Sequence, residues 1–248
     1  MILAELELYH SRPIAPTRRV ALGEMFLPVD PPPGLGGILL GGVVASTISD
    51  IDPDLVVDLG DLMTQLEVGA QVPQPRLRYR FQTDRVGLQR TLLRLAGEGE
   101  RLWFDFEGDR ASPEQLVLGA VYAAGQVHPD VRGSVMSTLR RAMGWQGPVG
   151  PDLIASLAGF TRGKALSVHT LEHPVEWALQ VLGFDGPRSR ANGHGTGPAG
   201  IEVRRRFREL VMDAHPDQGG ASAEAARRIA DLAEARRILL GRQRPARL

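Results

Sequence analysis

The side chains with the clearest chemical potential are His215 and Asp217, which flank Pro216 in the stretch AHPDQGG. An imidazole and a carboxylate can both make short-range polar contacts with a partner. Pro216 lacks a backbone N–H and restricts the residue before it, so a helix cannot continue through this point. The pattern predicts a turn whose exposed tip presents His215 and Asp217.

The segments on either side of this turn, Ile201–Ala214 and Ser222–Leu240, have the periodicity of amphipathic helices. The apolar stripe of the first comprises Val203, Phe207, Leu210, Val211 and Ala214. The stripe of the second comprises Ala225, Ile229, Leu232, Ala233 and Leu239. Arg204, Arg205 and Arg208 share another face of the first helix, and Ser222 suits the N-cap of the second. Facing apolar stripes and a short turn predict an antiparallel helical hairpin.

A basic helix, a His-Pro-Asp tip and an alanine-rich helix, in this order, resemble the J-domain of DnaJ-type co-chaperones. Upstream, Trp177–Phe184 resembles the short first helix of that family, which ends in a Leu-Gly corner. The resemblance covers roughly residues 174–241. His215, Pro216 and Asp217 match the family's invariant tripeptide. Positions that match the family's core are Val203, Phe207, Leu210, Ile229, Leu232 and Leu239.

The resemblance implies a binding and regulatory protein whose partner is a DnaK-class chaperone. Arg204 and Arg208 match basic positions that contact an acidic patch on that partner, and Arg205 lies beside them. The family's tripeptide acts where the two domains of the partner communicate, which favours ATP hydrolysis. On this reading the chain is not an enzyme, has no catalytic residues, and needs no cofactor or metal.

Four positions depart from the family pattern, namely Glu209, Ala214, Gln218 and Arg236, and the loop over residues 185–200 is longer than usual in the family. Arg236 lies within an apolar stripe, so its guanidinium must reach solvent or find a partner. These departures support an alternative, in which the hairpin is a degenerate interaction scaffold that binds without stimulating ATP hydrolysis. A nucleic-acid binder that uses the arginine helix is a further, less favoured reading.

Three other sequence patterns have residue types that occur in functional sites. His169, Glu172 and His173 fit an H-x-x-E-H zinc-protease pattern, but Pro174 indicates that a helix begins there instead of continuing. A second His-Pro-Asp, at residues 128–130, follows apolar residues and is read as a chance tripeptide at a helix–helix turn. Residues 34–42 are rich in glycine but lack Gly-Lys-Ser/Thr, which disfavours a phosphate loop and favours packing glycines.

The amino-acid composition excludes several classes of protein and several kinds of site. The chain is 43% hydrophobic and 23% charged, which is typical of a globular protein. It has no cysteine, which excludes disulfides, thiolate metal sites and the cysteine-rich zinc module of the longest DnaJ-type proteins. The acidic first residues do not fit a signal peptide, and the apolar run Gly34–Ala45 is too short to cross a bilayer. We therefore expect a cytoplasmic protein with no membrane contact.

The first half of the chain predicts an α+β fold that matches no family we recognise. Strands are predicted within residues 1–28, over Gly34–Ala45, over Arg76–Phe81 and over Leu102–Phe106. Helices are predicted after Asp52-Pro53, over Val86–Leu95, after Ser112-Pro113, after residue 130 and over Asp152–Leu157. Arg76, Arg78 and Arg80 alternate along one predicted strand, and a solvated face is favoured over a nucleic-acid or acidic-partner surface.

The predicted architecture is an α+β domain of unknown role over 1–150, a connector over 151–173, an all-α J-like hairpin domain over 174–241 and a basic tail over 242–248. By this architecture the first domain would direct the chaperone to a client protein or site. The alternative is that the first domain has an activity of its own, with the J-like part as an accessory.

Overall fold

The computed structural model describes residues 1–12, 18–99, 101–107, 111–160, 170, 173–184, 198–214 and 222–241. The chain divides into two compact units, Met1–Leu171 and Glu172–Leu248. The strands form one sheet in the N-terminal part and the C-terminal part has helices, so the fold is a mixed α+β one, as predicted. The division falls between residues 171 and 172, so residues 151–160 of the predicted connector belong to the first unit and its last residue, His173, belongs to the second.

The first unit contains a five-stranded sheet in the order β3-β2-β1-β4-β5. Its strands are β1 (Ile2–His10), β2 (Arg19–Phe26), β3 (Arg80–Gln82), β4 (Gln89–Glu98) and β5 (Arg101–Glu107). The central strand β1 pairs antiparallel with β2 and β4, while the short β3 pairs parallel with β2. The strands predicted within residues 1–28 and over Leu102–Phe106 are confirmed.

The helix predicted over Val86–Leu95 is wrong, because most of this segment is strand β4. Leu88, Leu92 and Leu95 have a helical spacing, which produced the prediction. In the sheet the operative period is two: Leu93 and Leu95 are buried, and Arg94 lies between them on the opposite face. Pairing with β1 on one side and β5 on the other outweighs the local pattern.

The strand predicted over Gly34–Ala45 is also wrong, because this segment is helix α1 (Gly34–Thr47). The helix is buried on nearly all sides, so it lacks the polar face that would reveal a helical period. Its glycines allow close packing, as predicted: a Cβ at Gly36 would lie 2.8 Å from the backbone of Leu27. In the described residues, no helix is long and apolar enough to cross a membrane.

The other helices of this unit begin at the predicted positions or within two residues of them. They are α2 (Pro53–Glu67), α3 (Pro113–Gln126), α4 (Pro129–Met143) and α5 (Pro151–Leu157). Asp52 caps α2 by accepting a hydrogen bond from the backbone N–H of Asp54 at 3.0 Å. Ser112 and Gln115 form the predicted capping box of α3. Helices α3 and α4 pack against α1, and α5 packs against α1 as well.

The exposed strand predicted over Arg76–Phe81 is confirmed only from Arg80 onward. Residues 76–79 form a tight turn, closed by two hydrogen bonds between the backbones of Arg76 and Tyr79. Its central residues, Leu77 and Arg78, have φ angles of +46° and +66°. The sequence gives no signal for this turn, since neither residue is a glycine.

The regular secondary structure of the second unit, in its described residues, is helical. It comprises α6 (Pro174–Val181), α7 (Gly200–Asp213) and α8 (Ser222–Gly241). Its buried core consists of Ala178, Leu182, Val203, Leu232, Ala235 and Leu239. Three of the six predicted core positions, Val203, Leu232 and Leu239, are thus fully buried, whereas Ala233 of the predicted stripe is exposed and Ala235 lies inside instead.

His10 gives the first unit an expected dependence on pH. It is buried at the end of β1, with Nε2 3.0 Å from Thr91 Oγ1, and burial lowers the pKa of its imidazole below the ordinary value of 6.5. The unfolded chain binds the proton more readily. The stability contributed by neutral His10 is therefore complete above pH 6.5, and it is lost as the pH falls from 6.5 towards the folded-state pKa.

We expect the free energy of unfolding of the wild type to decrease between about pH 7 and pH 5 more steeply than that of His10→Gln. Urea unfolding at a series of pH values measures both slopes. Equal slopes in the two proteins would show that His10 does not contribute to the pH dependence of stability.

Candidate functional site

The tripeptide His215, Pro216 and Asp217 lies outside the described residues, as does Gln218. The described residues place its flanks: α7 ends at Asp213, and α8 begins at Ser222. The two helices pack against each other, and both contribute to the core of the second unit. The predicted helices on either side of the turn are therefore present, while the geometry of the tip stays a prediction.

The predicted basic face of α7 is exposed. Arg204, Arg205 and Arg208 all project from the side of the helix that is away from the core. Arg205 has a loose ion pair with Glu209, with Nε and Oε1 3.7 Å apart. No acidic partner is found for Arg204 or Arg208 among the described residues, and such surface pairs contribute little in any case. The positive charge of this face is available to a partner.

Two exposed apolar side chains extend this face, and sequence reasoning missed them. Ile201 is 75% exposed and Met212 is 73% exposed. Together with the three arginines they recur at i, i+3, i+4, i+7 and i+11, which is one side of a helix. We call these five residues the α7 outer face. The sequence does contain a signal for this face: Ile201 lies three residues before Arg204, and Met212 lies four residues after Arg208, so both fall on the same side of the helix as the arginines.

The Leu-Gly corner after α6 has a defined geometry. Gly183 adopts a φ of +70°, which glycine tolerates best. The backbone N–H of Phe184 donates to the carbonyl of Leu179 at 2.8 Å, and that of Gly183 donates to Gln180 at 2.9 Å. This is a Schellman motif, which satisfies the last carbonyls of the helix.

Arg206 ties this corner to α7, a role that the sequence did not indicate. Its Nε donates to the carbonyl oxygen of Leu182 at 3.2 Å, and its Nη1 lies 3.2 Å from Glu209 Oε2. The carboxylate of Glu209, which departs from the family pattern, therefore pairs with arginines of its own helix. The contact fixes α7 relative to α6, which orients the outer face.

Arg236 has the partner that its position in an apolar stripe requires. Its guanidinium carbon lies 4.8 Å from the centroid of the Phe207 ring on α7. A cation–π contact of this kind is compatible with a half-buried site. Arg237, the next residue, donates hydrogen bonds to buried Glu234, and this raises the pKa of the Arg237 guanidinium. Arg236 and Arg237 of α8 thus both have partners within the unit.

The remaining candidates offer no cluster of metal-ligating side chains in the described part of the chain. His173 precedes α6, and Pro174 is its first residue, as predicted; His169 and Glu172 lie outside the described residues. Among the described residues, no three histidine, aspartate or glutamate side chains could together hold a metal ion. His128 caps α4 after the short link from α3, so the second tripeptide does lie at a helix–helix turn.

No protein-family model, curated protein or solved structure matches this chain at a significant level.

Proposed function

We propose that this protein is a J-domain co-chaperone, which binds a DnaK-class chaperone through its second unit and stimulates ATP hydrolysis by that partner. The supporting observation is the combination of a His-Pro-Asp sequence with two packed helices that bracket it, the first of which carries an exposed basic face. The first unit directs this activity to a client protein or to a site in the cytoplasm.

The α7 outer face suits an acidic surface on the partner. Arg204, Arg205 and Arg208 project from a rigid helix, so little conformational freedom is lost by the backbone on binding. Their charge steers association and makes it dependent on salt. Ile201 and Met212 add apolar contacts at the two ends of the charged patch. The interface would therefore combine a charged centre with apolar contacts.

Stimulation requires that the two states of the partner bind this protein with different affinities. The basic face supplies association, and the tip with His215 and Asp217 supplies the contact that favours the hydrolysis-competent state. A typical coupling between two sites changes an equilibrium by roughly 5–150-fold. We expect the affinities of the two states of the partner for this protein to differ by a factor in this range.

The experiment is single-turnover ATP hydrolysis by the DnaK-class chaperone of the same host, with and without this protein. We expect the wild type to accelerate hydrolysis, and His215→Gln to lose the acceleration. His128→Gln is the matched control, because it makes the same change in the same tripeptide within the first unit. Acceleration that survives in His215→Gln would contradict the proposal.

A charge reversal tests the α7 outer face in the same assay. Arg208→Glu should raise the concentration needed for half-maximal stimulation, and added salt should reduce the difference from the wild type. Arg228→Glu, which alters an exposed arginine on α8, is the control. Binding that persists without any acceleration by the wild type would favour the scaffold alternative.

A further inference from the structure

The first unit contains an open recess on its surface. Its volume is about 210 Å³. The residues that line it are Arg18, Leu55, Leu77, Arg78, Tyr79 and Glu114. Leu55 and Leu77 supply apolar walls, while the other four residues supply polar groups. We call this the arginine recess.

The parallel pairing of β2 and β3 brings the two arginines together. Arg19 of β2 is the partner of Arg80 of β3, and the backbone N–H of Arg80 donates to the carbonyl of Arg18 at 2.9 Å. Arg18 and Arg78 therefore both lie just before paired strands that run in the same direction. No local pattern in the sequence links these two residues.

The turn that carries Arg78 has a backbone conformation that residues other than glycine rarely adopt. Both Leu77 and Arg78 have positive φ angles. Asp58 of α2 holds the turn: its Oδ2 accepts from the N–H of Leu77 at 3.1 Å, and its Oδ1 accepts from Arg76 Nη1 at 2.5 Å. The consequence is that Leu77 is buried while Arg78 faces the recess. Strained residues of this kind concentrate at ligand sites.

Arg18 and Arg78 place positive charge on one side of the recess without a carboxylate paired to it in the described residues. Arg76, inside the same turn, is neutralised by Asp58. In contrast, neither Arg18 nor Arg78 forms an ion pair within the described part of the chain. The guanidinium of Arg18 lies 5.8 Å from the centroid of the Tyr79 ring, which leaves its N–H groups available. Two unpaired guanidinium groups at one recess are suited to an oxyanion, since arginine binds phosphate and carboxylate with fork geometry.

The other side of the recess offers hydrogen-bond acceptors. Glu114 Oε2 accepts from Ser112 Oγ at 2.7 Å, and the hydroxyl of Tyr79 lies 3.2 Å from the same oxygen of Ser112. Glu114 Oε1 has no partner in the described residues, so it can accept a hydrogen bond from an amine or hydroxyl. The volume is below the roughly 300–1,000 Å³ of pockets for drug-sized ligands, which indicates a small molecule.

We propose that the arginine recess binds a small molecule in which a phosphate or carboxylate group lies next to an amine or hydroxyl group. Arg18 and Arg78 hold the oxyanion, and Glu114 holds the donor group. Leu55 and Leu77 contact the carbon atoms between them. This proposal stands independently of the co-chaperone role.

Titration of the ¹⁵N-labelled full-length protein, followed by NMR, tests this proposal. The probes are inorganic phosphate, phosphoethanolamine, acetate and β-alanine, so that the oxyanion and the amine vary separately. We expect saturable shifts at the amides of Leu77, Arg78 and Tyr79. The amine-bearing member of the preferred pair should bind more tightly than its parent anion, and Glu114→Gln should remove that advantage.

Two arginine variants and one control complete the test. Arg18→Gln and Arg78→Gln should each weaken binding about tenfold, as expected for the loss of one charge-assisted hydrogen bond. Arg80→Gln removes an exposed arginine of the adjacent strand that does not line the recess, and it should bind like the wild type. The spectra report whether each variant is folded. Absence of saturable shifts with all four probes, or equal weakening in Arg80→Gln, would overturn the proposal.

Discussion

Asp58→Ala is expected to lower the free energy of unfolding of the first unit by about 2–3 kcal/mol. The substitution removes the carboxylate from Arg76, whose side chain is only 14% exposed, and leaves Gln65 as its hydrogen-bond acceptor. It also removes the acceptor of the Leu77 N–H, in a turn that already has unfavourable φ angles. The loss stays below that of a fully buried pair, because the side chain of Asp58 is 33% exposed. Urea unfolding measures it.

Asp61→Ala is the matched control, since Asp61 is an exposed residue of the same helix. It should change the stability by less than about 0.5 kcal/mol. Asp58→Asn should fall between the two, because an amide oxygen can still accept from Leu77 but no longer balances the charge of Arg76. Equal stabilities for Asp58→Ala and Asp61→Ala would mean that the ion pair does not hold the turn.

The features that were predicted correctly depend on contacts within a few residues. Asp52 and Ser112 cap helices through backbone groups two and three positions away, and prolines at the first helical position preset the backbone. The Leu-Gly corner after α6 closes through hydrogen bonds of the same short range. Such signals are present in the sequence itself, whatever the rest of the chain does.

The errors concern segments whose structure is decided by distant parts of the chain. Helix α1 is covered by β-strands and helices from across the first unit, so nothing in Gly34–Thr47 separates it from a buried strand. Strand β4 has leucines at a helical spacing, and only its pairing with β1 and β5 on either side determines that it is extended. In both cases tertiary contacts outweigh local preference.

The same distinction applies to the sites. The basic positions of α7 follow from a helical period, so Arg204, Arg205 and Arg208 were identified from the sequence. The arginine recess requires a parallel strand pair and a turn without glycine, neither of which has a local signature. The proposed ligand site could therefore be inferred only from the fold, which places Arg18 and Arg78 at the same recess.

Leu232→Ala is expected to unfold most of the second unit at ambient temperature. Leu232 is 2% exposed in a core of six fully buried residues, and truncating a buried leucine costs about 2–5 kcal/mol. A single core in a unit below about 80 residues rarely supplies more than ~3–5 kcal/mol in total. The loss is therefore comparable with the whole stability of Glu172–Leu248. Hydrogen exchange read by mass spectrometry should show lost protection in α6, α7 and α8, with β1 and β4 still protected.

Ile201→Ala separates this stability effect from the role of the α7 outer face. The side chain of Ile201 is exposed, so its truncation should leave hydrogen-exchange protection of the second unit unchanged. In the ATP hydrolysis assay Leu232→Ala should lose stimulation because the helices no longer hold the arginines and the tip in place. Ile201→Ala should only weaken binding, since it removes an apolar contact and leaves the tripeptide intact. If Leu232→Ala kept both its protection and its stimulation, the contacts between α7 and α8 would not be what maintains the proposed binding surface.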